Sequence, residues 1–176
     1  AVGTIVGQLA KSVGCRTIGL VSSAEKAQWL TEEVGYDIAI SREVQPDLAR
    51  ALSEAAPSGV DLFFDNVGGS VLNTVMGQLQ EGARLVLCGA ISQYEADVEP
   101  VTHTWELITK RARMEGFMFS DYTDEFPAVI ETLESQLRTG ELNTFDQRYQ
   151  GIEQTPIAFC DMMSGVSRGK CLVVLD

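Results

Sequence analysis

Short apolar runs alternate with amphipathic segments along this chain. Runs such as Val60–Asp65, rich in aliphatic and aromatic residues, predict buried strands of a parallel sheet. Apolar residues spaced three and four apart predict helices between these runs. Strands are expected at 17–21, 38–40, 60–65, 84–89, 114–119 and 171–175. Helices are expected at 2–13, from the Ser23 cap to Gly35, and at 47–56, 70–79, 104–113, 124–138 and 155–163.

This alternation predicts an α/β fold in which crossover helices connect parallel strands of a doubly wound sheet. Such a sheet normally begins with a strand and a glycine-rich turn. Here Ala1 leads directly into a helix, so we expect that the first strand is missing and that the sequence is a fragment.

Charge and composition narrow the function classes. The formal net charge of -12 disfavours nucleic acid and anionic membrane surfaces as partners. We expect no membrane-spanning segment and no signal peptide, because the sequence has neither a long apolar run nor a basic leader. The four cysteines and one histidine lack zinc-site spacing. Buried, reduced thiols and a cytoplasmic location are therefore expected.

Ligands of parallel sheets bind beyond the carboxyl ends of the strands. After the strand at 17–21, Ser22 and Ser23 stand where NAD-binding folds usually carry an acid, and Lys26 follows within one helical turn. A cation there would attract the 2′-phosphate of NADPH, whereas a carboxylate would repel it. The alternative is that Ser23 only caps a helix and Lys26 is a solvated charge.

Three other segments are candidates for binding. Val2 and Gly3 lie at a helix N-terminus, which favours a phosphate, although Gly3 could be a packing residue. Asn66, followed by Gly68 and Gly69, ends one strand; it either contacts a ligand or forms an ordinary turn. The loop 88–94 ends in Tyr94, whose phenol either donates a hydrogen bond to a substrate oxygen or lies on the surface.

Together these loops resemble those of the zinc-independent medium-chain dehydrogenase/reductase superfamily. The nearest resemblance is to its leukotriene B4 dehydrogenase / prostaglandin reductase group, which includes curcumin-reductase-like enzymes. The motifs that carry it, in chain order, are GQLAK at 7–11, SSAEK at 22–26, FDNVGG at 64–69, CGAISQY at 88–94, RMEGF at 113–117 and GK at 169–170.

The resemblance implies a Rossmann-type domain that binds NADPH and reduces the carbon–carbon double bond of α,β-unsaturated ketones or aldehydes. Hydride would pass to the β-carbon, and Tyr94 would be the catalytic hydrogen-bond donor. It also implies a homodimer. The residues expected to contact the cofactor are Val2, Gly3, Ser22, Lys26, Arg42, Asn66, Cys88, Gly89, Ala90, Ile91, Ser92, Tyr94, Phe117, Met118, Phe119 and Ser167.

The sequence departs from the group's pattern in two of these positions. Arg42 lies where a tyrosine is usual, and we expect it to reach a phosphate instead. Ser167 replaces an asparagine before the final Gly-Lys pair. Residues 1–150 are expected to form the NADP-binding domain, and residues 151–176 a helix and strand returning to a substrate domain.

Other readings stay open. The chain could be a nucleotide-binding module without turnover of its own, or a quinone-reductase-like member of the same superfamily. A methyltransferase is disfavoured because Ser22 and Ser23 occupy the position of its usual acid.

Overall fold

The computed structural model describes residues 1–94 and 98–175. Residues 95–97 and Asp176, where the predicted C-terminal segment ends, lie outside the described part. The chain divides into two compact units, which are treated separately below. Unit 1 comprises Ala1–Val44 and Ala128–Asp176, and unit 2 comprises Gln45–Pro127.

Helices and parallel strands alternate, as the hydrophobic pattern predicts. The helices are α1 (Val2–Ser12), α2 (Ala24–Trp29, continued by a π-helical turn at Leu30–Val34), α3 (Leu48–Ala55), α4 (Gly69–Met76), α5 (Thr104–Thr109), α6 (Phe126–Thr139) and α7 (Thr155–Met163). The strands are β1 (Ile18–Val21), β2 (Ile38–Ser41), β3 (Val60–Asp65), β4 (Leu79–Leu87), β5 (Arg113–Gly116), β6 (Asp146–Gln150) and β7 (Lys170–Val174). Short 3₁₀ helices lie at Ile91–Gln93, Phe119–Glu125 and Ile152–Gln154.

Unit 1 contains two parallel strand pairs. β1 pairs with β2, with Ile18 opposite Ile38, and β6 pairs with β7, with Asp146 opposite Lys170. Its core is built around Trp29, Leu30 and Val34, against which Tyr36 and Phe145 pack. The Trp29 and Phe145 rings meet edge to face, with centroids 5.4 Å apart. This contact joins α2 to the segment that precedes β6.

Tyr36 fixes the position of α1 in unit 1. Its hydroxyl donates a hydrogen bond to the Gly3 carbonyl at 2.6 Å. Its ring lies so close to α1 that a Cβ at Gly7 would approach the ring Cε2 to 2.1 Å. Gly7 is therefore required for the packing of α1 against Tyr36.

Unit 2 contains the parallel sheet β3–β4–β5, with β5 at its edge. Apolar side chains of α4 and β4 form its core, and several of them are almost fully buried: Val71, Leu72, Val75, Met76, Leu79, Ala83 and Leu85. Leu62 on β3 is in contrast 52% exposed. The sheet places the ends of β3 and β4 side by side, which is where polar loop residues follow both strands.

The predicted α/β fold with parallel strands is confirmed, but several element boundaries were wrong. α4 ends at Met76 because β4 begins at Leu79, five residues before the predicted start of that strand. α5 ends at Thr109, and Arg111 then adopts a left-handed backbone conformation with φ 51°. β5 ends at Gly116, so the expected strand does not include Phe117–Phe119.

Two further expectations were wrong. β6 was not predicted, because Asp146–Gln150 contains no apolar run. The thiols of Cys15, Cys88 and Cys160 are exposed rather than buried, and that of Cys171 is partly buried. All four cysteines are free.

Candidate functional site

The end of β1 presents the hydroxyls and the amine that the sequence singles out. Ser22 follows the strand and is exposed. The Ser23 side chain accepts a hydrogen bond from the Lys26 backbone N–H at 3.3 Å and so caps α2. Because the cap occupies Ser23, Ser22 is the hydroxyl that remains available to a ligand at this strand end.

The Lys26 amine points toward the segment that precedes β7. Its Nζ donates a hydrogen bond to the Gly165 carbonyl. Burial and then the positive charge of Arg168 lower the pKa of Lys26. An anion bound at this position would favour the charged form of the amine.

Arg168 is the second cation at this position. Its guanidinium forms an ion pair with Glu25, the residue before Lys26 on α2. Its backbone N–H donates to Gln147 Oε1 at 3.0 Å, which fixes the segment against β6. Unit 1 therefore holds Lys26 and Arg168 together beside the exposed Ser22, which is a donor set suited to a phosphate.

The other predicted site residues of unit 1 are Val2, Gly3, Arg42 and Ser167. Val2 and Gly3 lie in the first turn of α1 and are exposed. Arg42 is also exposed, and its backbone N–H donates to the Val21 carbonyl at 3.0 Å, next to Ser22. Ser167 is partly buried, and its N–H donates to the Asp161 carbonyl at 3.3 Å.

Ser167 lies on a segment that hydrogen bonds hold in place. The Tyr149 hydroxyl donates to Asp161 Oδ2 at 2.8 Å and so links β6 to α7. Desolvation and the Asp161 carboxylate together raise the pKa of Tyr149 to about 12, so the phenol keeps its proton at neutral pH.

In unit 2, the turn after β3 is organised by a buried carboxylate. Asp65 is 1% exposed. Its Oδ1 accepts hydrogen bonds from the backbone N–H groups of Val67, at 2.8 Å, and Gly68, at 3.0 Å. Gly68 and Gly69 both have positive φ, 70° and 57°, which L-residues with a Cβ rarely adopt.

The turn after β3 is hydrogen-bonded to the loop after β4. The Asp65 carbonyl accepts from the N–H groups of Cys88, at 2.8 Å, and Gly89, at 3.1 Å. The Asn66 carbonyl accepts from Ile91 N–H at 3.1 Å. These bonds bring the predicted residues Asn66, Cys88, Gly89 and Ile91 together.

Ser92 completes this junction. The Val67 carbonyl accepts from both its N–H, at 3.0 Å, and its hydroxyl, at 2.6 Å. A Cβ at Gly69 would lie 2.9 Å from Ser92 Oγ, and one at Gly68 would lie 3.2 Å from the Cβ of Ala90. Small residues therefore allow the two loops to approach closely.

Tyr94 lies at the outer end of this junction. It follows the 3₁₀ turn Ile91–Gln93 and is 71% exposed. An exposed phenol next to a pair of loops fixed by hydrogen bonds is available to a ligand.

The predicted residues Phe117–Phe119 follow β5 in unit 2. Phe117 is partly buried and packs against Phe64, with ring centroids 6.4 Å apart. Its N–H donates to the Leu87 carbonyl at 3.4 Å, close to the loop that begins at Cys88. Met118 and Phe119 are 63% and 68% exposed.

Sequence reasoning assigned no role to Asp65 or Arg168. The FDNVGG motif contains Asp65, and an acid directly before a double-glycine turn was a usable signal for its bonds to backbone amides. Arg168 carried no local signal, because its partner Glu25 lies 143 residues away in the sequence.

Other features complete the description. A cleft of about 460 Å³ in unit 2 is lined by residues such as Asn73, Glu99 and His103, and it contains no predicted site residue of the described chain. Within residues 1–94 and 98–175, no group of three or more His, Cys, Asp or Glu side chains is placed to hold a metal ion. No helix in that part of the chain has the length and apolar character needed to span a bilayer.

The parallel α/β fold and these loops define a domain of the dehydrogenase/reductase class. Residues 1–135 match the family model described as zinc-binding dehydrogenase. The chain belongs to that family.

Similar proteins include two curated reductases. The chain is 38% identical to the 2-alkenal reductase (NADP(+)-dependent) of Nicotiana tabacum, over 100% of this chain and 52% of that protein. It is 36% identical to prostaglandin reductase 1 of Oryctolagus cuniculus, over 97% of this chain and 49% of that protein. The chain thus spans about half the length of the curated relatives it matches.

A solved structure has the same fold. The crystal structure of CurA in complex with NADPH from Vibrio vulnificus is 36% identical, with a TM-score of 0.91, over 100% of this chain and 54% of that chain. The predicted resemblance to the alkenal and prostaglandin reductase group is confirmed.

Proposed function

We propose that this chain is the cofactor-binding part of an NADPH-dependent reductase that acts on the carbon–carbon double bond of α,β-unsaturated ketones or aldehydes. The names of the relatives, 2-alkenal reductase and prostaglandin reductase, support this reaction class. The observation that carries the choice of NADPH is the position of the Lys26 amine on the helix that directly follows β1, bonded to the Gly165 carbonyl three residues before a second cation, Arg168.

In unit 1, Lys26 binds the 2′-phosphate of the cofactor. For this the amine exchanges its bond to the Gly165 carbonyl for a bond to a phosphate oxygen, and a charged acceptor makes the stronger bond. The Ser22 hydroxyl donates a second bond, and Arg42 provides a further positive charge next to it. Val2, Gly3 and Ser167 contribute backbone contacts.

In unit 2, Asn66 and the loop 88–94 bind the nicotinamide half, and Phe117–Phe119 contribute backbone contacts there. When bound, NADPH supplies the hydride for the reduction. The Tyr94 phenol donates a hydrogen bond to the carbonyl oxygen of the substrate, where negative charge develops as the double bond is reduced. The buried Asp65 fixes the loop that positions this donor.

The test is NADPH oxidation with but-3-en-2-one, followed at the absorbance of the reduced cofactor, together with calorimetric binding of NADPH. Turnover that depends on the enone supports the reductase. Binding without turnover favours the alternative, a nucleotide-binding module. Absence of NADPH binding contradicts both.

Tyr94→Phe separates the catalytic role from the structural one. In an active protein, the variant should retain NADPH affinity and lose about 10-fold or more in kcat, since it removes one hydrogen bond to the developing charge. Tyr122→Phe is the matched control, because Tyr122 is a partly exposed phenol of the same unit. Unchanged kcat in Tyr94→Phe would mean that Tyr94 is a surface residue without a catalytic role.

We also propose a homodimer and a cytoplasmic location. β5 is one of the two edge strands of its sheet, and Met118 and Phe119 next to it are largely exposed, which makes this edge suitable for a partner. The four free thiols suit a reducing compartment. Light scattering of the purified protein tests the dimer, and a monomeric mass contradicts it.

A further inference from the structure

Arg168 lies on the segment between α7 and β7, where two contacts hold it. Its backbone N–H is bonded to Gln147 Oε1, and its guanidinium is paired with Glu25. The Arg168 side chain is 37% exposed and that of Glu25 is 77% exposed. The guanidinium is therefore oriented by a carboxylate that remains largely in solvent.

Lys26 and Arg168 lie close enough for their positive charges to repel, although the guanidinium is also paired with Glu25. Lys26 Nζ is bonded to the Gly165 carbonyl, three residues before Arg168, so the two charges belong to one short stretch of structure. The chain has a net charge of -12, so a general excess of cations does not explain why these two positive charges lie close together. The repulsion that Arg168 exerts on Lys26 would be relieved by a dianion between them.

A phosphate monoester is the anion that this pair suits. A guanidinium offers parallel N–H donors that match two phosphate oxygens, while an ammonium acts as a point charge. The exposed Ser22 hydroxyl adds a neutral donor at the end of β1.

We propose that Arg168 is a second determinant of cofactor specificity, which contacts the 2′-phosphate together with Lys26. This inference rests on the proposed function, because it assigns a further residue to the same cofactor. Glu25 acts as a positioning residue that holds the guanidinium toward the phosphate without occupying all of its donors.

The experiment compares 2′,5′-ADP with 5′-AMP, two probes that differ by the 2′-phosphate. Their dissociation constants are measured by calorimetry for the purified protein and for R168Q, R168K and R148Q. R168Q should weaken 2′,5′-ADP binding by about 10-fold or more and 5′-AMP binding by no more than about 2-fold, as expected for a lost charge-assisted bond. R168K should lose less affinity for 2′,5′-ADP, because lysine keeps the positive charge but lacks the parallel N–H donors of the guanidinium.

R148Q is the matched control. Arg148 is an exposed arginine of unit 1 paired with Asp146, and its removal should change neither affinity. If R168Q weakens both probes equally, or neither, or if R148Q has the same effect, the proposal is overturned. If R168Q does not fold, R168K decides: reduced selectivity supports the role, and unchanged selectivity overturns it.

The wild-type protein distinguishes a failure of the proposed NADPH preference from a failure of the proposed Arg168 role. If it does not prefer 2′,5′-ADP over 5′-AMP, the NADPH preference itself fails, and the role of Arg168 fails with it. If it prefers 2′,5′-ADP and R168Q retains that preference, only the role of Arg168 fails.

Discussion

At the residue scale, Lys26 is the side chain whose removal should reveal the cofactor preference. Lys26→Ala should weaken NADPH binding by about 1–3 kcal/mol more than NADH binding, because NADH lacks the phosphate that we propose the amine contacts. Calorimetric titration of both cofactors measures this difference. Arg138→Ala removes an exposed cation of the same unit and should have no selective effect. Equal losses for both cofactors in Lys26→Ala would remove the phosphate role.

Two glycines of α1 should respond in opposite directions to the same substitution. Gly7→Ala should lower the free energy of unfolding by about 1–3 kcal/mol, because its methyl group would overlap the Tyr36 ring. Gly3→Ala should raise it by about 0.5–1 kcal/mol, since a Cβ there meets no atom within 4 Å and alanine favours the helix. Urea denaturation measures both, and a neutral Gly7→Ala would contradict the packing argument.

Local chemistry made some residues predictable. Ser23 caps α2 as the sequence indicates, because a cap depends on residues three positions apart. Asp47 caps α3 in the same way. The contact between Arg168 and Glu25 depends instead on where β7 and α2 lie in the folded chain. The residues next to Arg168 in the sequence therefore do not indicate this contact.

At the element scale, the connection between β3 and α4 should depend on Asp65. Asp65→Ala should lower the free energy of unfolding by about 2–3 kcal/mol, because the N–H groups of Val67 and Gly68 lose their acceptor. Asp65→Asn keeps one acceptor oxygen and should lower the free energy of unfolding by less than Asp65→Ala does. Denaturant titration tests this order, with Asp61→Ala, at an exposed position of the same strand, as the control. A loss in Asp61→Ala equal to that in Asp65→Ala would contradict the role of the buried carboxylate.

Apolar runs identified β1, β3 and β7 because each contains several consecutive side chains that are at least partly buried. β6 was missed because it has polar residues at alternating positions, with Gln147 and Tyr149 partly buried between exposed neighbours. The boundaries of α4 and β4 were wrong because Met76, Leu79 and the residues between them fit either pattern. The two loops of unit 2 were recognised from their motifs, but their mutual hydrogen bonds required the register of β3 and β4.

At the scale of the whole molecule, acid should unfold the chain partly through Asp37. Hydrogen bonds from Lys11 and Thr17 lower the pKa of Asp37 to about 2. Its ordinary value is 3.8, so this carboxylate binds its proton more readily in the unfolded chain. It therefore contributes stability above about pH 4, and this contribution is lost as the pH falls toward 2.

Asp37→Asn tests this dependence. The variant should be less stable than the wild type at pH 7, and the difference in melting temperature should shrink between pH 4 and pH 2. Asp61→Asn, which changes an exposed carboxylate, should follow the wild type at every pH. A stability difference for Asp37→Asn that does not change with pH would contradict the assigned role of the Lys11–Asp37 pair.

The two tryptophans lie in different units and in opposite environments. Trp29 is 8% exposed and packed against Phe145 in unit 1, whereas Trp105 on α5 in unit 2 is 66% exposed. The chain therefore carries one blue-emitting and one red-emitting intrinsic fluorophore, one in each unit. With Trp105→Phe the emission spectrum would report on unit 1 alone, so that ligand binding to this unit could be followed optically without attaching a dye.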